Sequence, residues 1–343
     1  MHILYIGDSD SSSTACHRSH ALERLGHSVD RLNPWTVLDG RRPSRIDYHT
    51  GYRFMQHRYE KALQNWLTNQ SANTRWNLVW VDSGEWFGPG AVQLLKQLSG
   101  SPVVLYQIDD CTGRRDWQRF ASLRKALPLY ELCVTVRAST ELEMRAIGAR
   151  RTLRVWMSHD EIAHQASAVN HSKLSPWISF IGTLIPGEGR DRFLIKLHQA
   201  GIPLALWGSR WSRSPHWKAL KSSYHGTFLR GSDLTAAMVQ STACLGLLSR
   251  GNRDLHTTRS LEVPYAGGLL CAQRTSEHAL LYDEGQEALF WSDGEECRRQ
   301  CHWILSNLER AQQIRLAGSR RIRRQGIGNE DICRQILAHM EGC

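Results

Sequence analysis

Short apolar runs recur along the chain, several of them closed by a glycine or an acid and followed by residues at helical spacing. HILYIG (2–7) is the first; the polar loop DSDSSST follows, then Ala21, Leu22 and Leu25 ahead of Gly26, and GHSVDRLN opens the next alternating strand. NLVWVD (77–82), SPVVLYQID (101–109) and ELCVTV (131–136) repeat the motif, with PGAVQLLKQLSG and the segment around Leu142 and Ile147 as intervening helices. Residues 154–156 close this half as a last strand. Strand, loop, helix and strand in succession form the unit of a doubly wound parallel sheet.

Residues 161–176, EIAHQASAVNHSKLSP, have no period and a turn-like composition, which predicts a linker. The pattern then restarts with WISFIG (177–182), a helix across RDRFLIKLHQAG, and strands at PLALWG (203–208), ACLGLL (243–248) and LLCA. A helix is expected across EHALLYDEG, and amphipathic helices over 295–323 and 330–340. The fold class that follows is α/β with two Rossmann-like domains facing a cleft. The expected domains are residues 1–165, residues 166–327, and a C-terminal helix over 328–343 that packs back on the first.

The 343 residues are 41% hydrophobic and 22% charged, a soluble, core-forming composition. No apolar run approaches the roughly 18 residues of a membrane span, and MHILYIGD reads as a first strand rather than a secretory signal. Nine scattered cysteines, an odd number, fit a reducing compartment. A cytoplasmic protein, or one peripheral to a membrane, is the expectation. Cys297, Cys301 and His302 hint at a metal, but two thiols make a weak ligand set, and ordinary thiols are the plainer reading. The net charge of +10 favours an acidic partner such as nucleic acid, an anionic glycolipid or a nucleotide. Its arginines are dispersed in small groups (Arg41, Arg42 and Arg45 among them), as arginine-rich codon usage would also give.

Acids close two strands of the first half. Asp82 follows NLVWV, and Asp109 and Asp110 follow VVLYQI. At the carboxyl ends of parallel strands such carboxylates can bind hydroxyls or act as bases; Asp is equally a preferred N-cap. In the second half, Gly182, Gly187 and Gly189 permit close backbone approach, and Arg190 can meet a phosphate. The GDSDSSST loop carries Asp8 and Asp10, which oppose phosphate and leave a sugar- or acceptor-facing loop as an alternative. It also lacks the G-x-G-x-x-G of a dinucleotide-binding dehydrogenase.

DLHTTRSLEVPYAGG (254–268) concentrates the most chemistry. A helix starting near Thr257 or Thr258 aims free N–H groups, two hydroxyls and its positive dipole end at one point, where His256 and Arg259 add charge. That suits a diphosphate. Glu262, one turn on, can accept from vicinal hydroxyls, and Asp254 from another. An ordinary Thr-capped helix is the structural alternative, and Pro264 must lie in its first turn or bend it.

HTTRSLEVPYAGGLL, followed by RTSEHALLYDEGQEALFWSDGEE, resembles the C-terminal signature of CgeB-like (spore-maturation-type) glycosyltransferases, GT-B enzymes related to glycosyltransferase family 4. NLVWVDSGEWFGPGAVQLLK, VVLYQIDD, LPLYELCVTVRASTELEMRAIGARR and SFIGTLIPGEGRDRFLIKLHQAGIPLALWGSRW resemble further family blocks in the same order. The resemblance implies the GT-B fold, with acceptor held mainly by the first domain and a nucleotide-sugar donor, UDP- or GDP-linked, mainly by the second. It implies a metal-independent transfer with no other cofactor. His256, Thr257, Thr258 and Arg259 would hold the diphosphate with Arg190 and the Gly182 loop, and Glu262 would hold the ribose. In related retaining enzymes two Glu are separated by seven residues; here Asp254 takes the first position, so retention and inversion both stay open. Cys111 stands where the family's Asp-Asp-Pro block has proline, and VWMSHDEIAH departs from the family's turn. The alternative function is a non-catalytic GT-B module that binds nucleotide or nucleic acid.

Overall fold

The computed structural model describes residues 1–38, 43–71, 74–165 and 174–341. Arg41, Arg42, Cys343 and part of the expected linker (166–173) lie outside the described residues. The chain forms two compact units. The first comprises Met1–Trp156 with Gly251–Arg253 and the chain from Asn329; the second comprises Met157–Arg250 and Asp254–Gly328.

The first unit is built on six parallel strands: β1 (His2–Ile6), β2 (Ser28–Leu32), β3 (Leu78–Asp82), β4 (Val103–Gln107), β5 (Leu132–Thr135) and β6 (Thr152–Arg154). Their order is β2-β1-β3-β4-β5-β6. Every residue of β3 and β4 is buried, as strands covered on both faces require, and this is why each opens with four consecutive apolar residues. On one face Tyr5, Trp80 and Tyr106 stack in a row at centroid spacings of 6.1 and 6.2 Å. Arg18, on the helix Thr14–Arg24, lies 3.8 Å over Tyr106. The last helix, Asn329–Glu341, packs against that same helix. Arg24 Nε donates to Glu330 Oε1 at 2.6 Å to tie the pair.

The second unit holds β7 (Ser175–Ile181), β8 (Leu204–Trp207), β9 (Tyr224–Gly226), β10 (Ser241–Gly246), β11 (Leu270–Gln273) and β12 (Leu289–Trp291), in the order β12-β11-β10-β7-β8-β9. All are parallel. The sequence pattern does not announce β9 or β12, each three residues long. The helix expected over 277–285 ends at Leu281 because Tyr282 is extended. The amphipathic stretch after 294 is two helices, Gly294–Ser306 and Leu308–Arg324, broken at Asn307.

Strand order reverses at one place in each sheet: at β1, between β2 and β3, and at β7, between β8 and β10. Loops leaving the strands on either side of such a reversal diverge to opposite faces and leave a crevice at the carboxyl edge.

Candidate functional site

In the second unit the crevice at β7 and β10 contains a cavity of about 270 Å³ lined by Glu188, Arg190, Leu247, Arg250, Gln273 and Asp293, among others. Glu188 spans it: its carboxylate accepts from Ser249 Oγ (2.9 Å) and from the Arg250 N–H (2.8 Å). A second cavity of about 430 Å³ borders the other side of the 184–189 loop, with Arg192, Arg210, Arg213 and His216 in its wall.

The loop after β7 is tightly determined. Gly208, at φ +134°, brings its Cα so close that a Cβ would stand 2.1 Å from the Gly182 carbonyl oxygen. Gly182 spends both its backbone groups internally, donating to Trp207 O and accepting from the Trp211 indole, both at 2.9 Å. It therefore shapes the loop, and its own N–H is spent on Trp207 rather than offered to a ligand. Two arginines converge on the same strand end. Arg190 donates to Thr183 O at 2.9 Å, and Arg259 Nε to Ile181 O at 3.4 Å.

Arg259 lies in the helix Thr258–Ala266, which follows β10 with Thr257 as its N-cap. The Thr257 N–H donates to Ser260 Oγ (3.1 Å), and Ser260 N–H to Thr257 O (3.0 Å). Helix geometry leaves the Thr258 and Arg259 N–H groups without intrahelical acceptors. Ser260 Oγ meets His278 Nε2 at 2.7 Å, while His278 Nδ1 lies 2.6 Å from Gln273 O. The carbonyl can only accept, so the proton sits on Nδ1 and Nε2 accepts from the serine. Burial pushes the His278 pKa down to about 4, which keeps the ring neutral. Pro264 lies inside the helix and cannot serve the Ser260 carbonyl; the buried Tyr282 hydroxyl donates to it instead, at 2.7 Å.

Glu262 is 2% exposed. Arg259 Nη1 contacts its Oε2 across one helical turn. His164 Nε2 stands 3.5 Å from its Oε1. The Asp160 N–H donates to His164 Nδ1 at 2.8 Å, which leaves the ring proton on Nε2, aimed at the carboxylate. Sequence reasoning missed His164, which lies in the aperiodic segment read as linker. Each carboxylate oxygen keeps a second lone pair for a ligand. Burial lowers the Arg259 pKa to about 10, so the guanidinium remains a cation at neutral pH.

His256 does not face a ligand. It is 1% exposed, accepts from the Met157 N–H at Nε2 (3.0 Å) and so donates from Nδ1 to Glu277 Oε2 (2.5 Å). Its ring ties the start of the second unit to the segment before the helix, which corrects the diphosphate role read from the sequence. Asp254 is half-buried, its N–H donating to Ser249 O at 3.1 Å.

The acids of the first unit are also committed internally. Asp82 Oδ2 accepts from Tyr5 and from Arg18, each at 2.5 Å. Burial, then the charge of Asp82, raises the Tyr5 pKa well above its usual value. Asp110 accepts a forked pair from Arg253 (2.6 and 2.9 Å) and further bonds from Thr112 and Thr140. Burial alone would raise its pKa, but the Arg253 hydrogen bonds, with those of Thr140 and Thr112, hold it below the ordinary carboxylate value. A carboxylate so saturated is a poor base, so the structure makes Asp110 an anchor for Arg253, whose φ is +53°. Asp109 is bound by Arg119 and Asn252, both at 3.2 Å.

Among the described residues no group of three or more His, Cys, Asp or Glu is placed to hold a metal ion. Cys297 and Cys301 are buried in the core and His302 is exposed, so these three do not form one ligand set.

No curated protein sequence matches the chain. Residues 190–338 match a family model described as glycosyl transferase-like. Solved structures resemble the whole chain. Sucrose-phosphate synthase from Thermosynechococcus elongatus superposes with a TM-score of 0.70 at 12% identity, over 100% of this chain and 98% of that one. HepE from Anabaena, in complex with UDP and glucose, gives 0.67 at 12% identity over 100% of both chains. The α,α-trehalose 6-phosphate synthase from Burkholderia multivorans gives 0.63 at 13% identity, over 99% and 98%. With two Rossmann-like parallel sheets and these likenesses, the chain has the GT-B fold.

Proposed function

We propose that the protein is a glycosyltransferase that moves a sugar from a nucleoside-diphosphate donor to a hydroxyl acceptor. The observation that carries this reading is the Arg259–Glu262 pair, held at the end of β7 by the Ile181 carbonyl and by His164. A buried carboxylate with both oxygens positioned and lone pairs left over suits the two hydroxyls of a ribose. The N–H groups of Thr258 and Arg259, the helix dipole, and the guanidinium groups of Arg190 and Arg259 suit a diphosphate. As the glycosidic bond breaks, negative charge grows on the departing diphosphate, and these fixed donors stabilise it without reorganising.

Uracil is the favoured base, because HepE structures are described with UDP and with UDP-glucose. Asp254 is our candidate for contact with the transferred sugar. Its spacing from Glu262 matches the paired acids of the retaining enzymes that the sequence resembles and favours retention; the anomeric proton coupling of the product tests that. The same signature supports a CgeB-like assignment related to family 4. Asp82, Asp109 and Asp110 serve as anchors in this reading rather than as bases. The +10 charge supports an acceptor that is acidic overall, such as an anionic glycolipid. No helix among the described residues is long and apolar enough to cross a membrane. The reading keeps the protein in the cytoplasm, or against the membrane face.

The test is release of nucleoside diphosphate from a panel of UDP-, GDP-, ADP- and dTDP-sugars. Turnover with one nucleotide class supports the enzyme; tight binding with no cleavage of any donor supports the non-catalytic module instead.

A further inference from the structure

The crevice of the first unit, at the β1–β3 reversal, contains a cavity of about 220 Å³ that the donor reading leaves unused. Asp8 enters it from the end of β1, and Asp82, Ser83 and Glu85 from the end of β3, while Trp35 and Trp86 form a wall. The two indoles meet edge to face at 4.0 Å. Ser83 holds a left-handed backbone at φ +68°, and its hydroxyl lies 3.3 Å from Asp82 Oδ1.

Among the described residues, no lysine, arginine or histidine lines this cavity. Two of its three carboxylates are neutralised from behind: Asp82 by Arg18, and Glu85 by Arg119. Tyr52 and the Trp86 indole also donate to Glu85 Oε1, at 3.2 and 3.1 Å. Asp8 is exposed, and its Oδ1 accepts the Asp10 N–H at 3.0 Å. The cavity thus carries acceptor oxygens, hydroxyls and aromatic surface, with a net negative balance. A phosphate entering it would face the Asp8 carboxylate with no cationic side chain among the described lining residues. The cavity's donors are the first N–H groups of the helix Thr14–Arg24, which serve a neutral sugar oxygen without that repulsion. Sugar hydroxyls, by contrast, donate to carboxylates, and the positively polarised C–H groups of a sugar ring suit the negative face of an indole.

We infer that this cavity binds an uncharged sugar, so that the reactive end of the acceptor is a neutral glycan rather than a phosphate ester or a nucleic acid. This rests on the glycosyltransferase reading for its purpose, though not for the binding itself. Among the described residues, the sequence-wide positive charge does not extend to the side chains lining the cavity.

Calorimetry and ligand-observed NMR without nucleotide test it, using glucose, galactose, mannose, N-acetylglucosamine, glucose 6-phosphate and a single-stranded oligonucleotide as probes. At least one neutral sugar is expected to bind, and glucose 6-phosphate at least tenfold more weakly than that sugar. Asp8→Ala should weaken the sugar at least tenfold with the melting temperature unchanged. Trp35→Ala, which also loses packing against Trp86, should weaken it at least tenfold while still unfolding cooperatively. Asp8→Lys should move the preference toward the phosphate ester. The inference is overturned if no neutral sugar binds, if the phosphate ester or the oligonucleotide binds more tightly, or if both alanine variants bind as the parent does. UDP titrated into the same samples reports the second unit separately. UDP binding without sugar binding refutes only this inference, and sugar binding without binding of any nucleoside diphosphate refutes only the donor reading.

Discussion

The Tyr282 hydroxyl donates a 2.7 Å hydrogen bond to the Ser260 carbonyl, the acceptor that Pro264 would have served had it carried an N–H. A proline in the helix interior is thereby accommodated directly behind the proposed diphosphate site. Tyr282→Phe leaves that buried carbonyl unsatisfied and should cost about 1–3 kcal/mol in denaturant unfolding. A variant as stable as the parent would show that the carbonyl finds another donor.

Acid should destabilise the second unit through two neutral histidines. His278 and His159 are both buried, and burial lowers each pKa to about 4. In the unfolded chain both titrate near 6.5. Between these values the unfolded state takes up protons that the folded state refuses, so stability is full above about pH 7 and declines as pH falls toward 4. Each ring contributes on the order of 3 kcal/mol to that decline. Unfolding free energy measured across this window should slope downward, and His278→Gln should flatten the slope. An equal slope in the variant would contradict the assignment.

Asp110 should behave as an anchor. Its depressed pKa means that its contribution is present above the unfolded value of about 3.9 and is lost as pH falls through the folded value. Arg253→Ala, which leaves the carboxylate buried without its cation, should cost on the order of 3 kcal/mol. If Asp110 were instead the base, Asp110→Asn would abolish turnover while barely moving stability.

Transfer should survive exhaustive chelation, because the departing charge is assigned to Arg190, Arg259 and backbone N–H groups. Loss of turnover on chelation, restored by one divalent ion, would contradict that assignment.

The fold was readable because parallel strands are buried on both faces. β3 and β4 each open with four consecutive apolar residues, whereas three-residue strands such as β9 and β12 carry too little pattern to register. The site was readable only by residue type. Asp82, Asp110 and His256 have the chemistry of ligand groups, but their fates are decided by partners far away in sequence: Arg18 by 64 positions, Arg253 by 143 and Glu277 by 21. No local signal in the chain reports such pairings. His164 escaped for the same reason, since only the fold brings it, 98 positions before Glu262, to that carboxylate.

The central claim is that Glu262, clamped by Arg259 and His164, holds the ribose of the donor. Calorimetric titration of UDP, GDP, ADP and dTDP into the parent and into Glu262→Gln tests it most directly, the conservative amide limiting the loss of fold. The account predicts that one diphosphate binds the parent and binds the variant at least tenfold more weakly, with the variant still cooperatively folded. Equal affinity in the two proteins, or no binding of any nucleoside diphosphate to the parent, would contradict it.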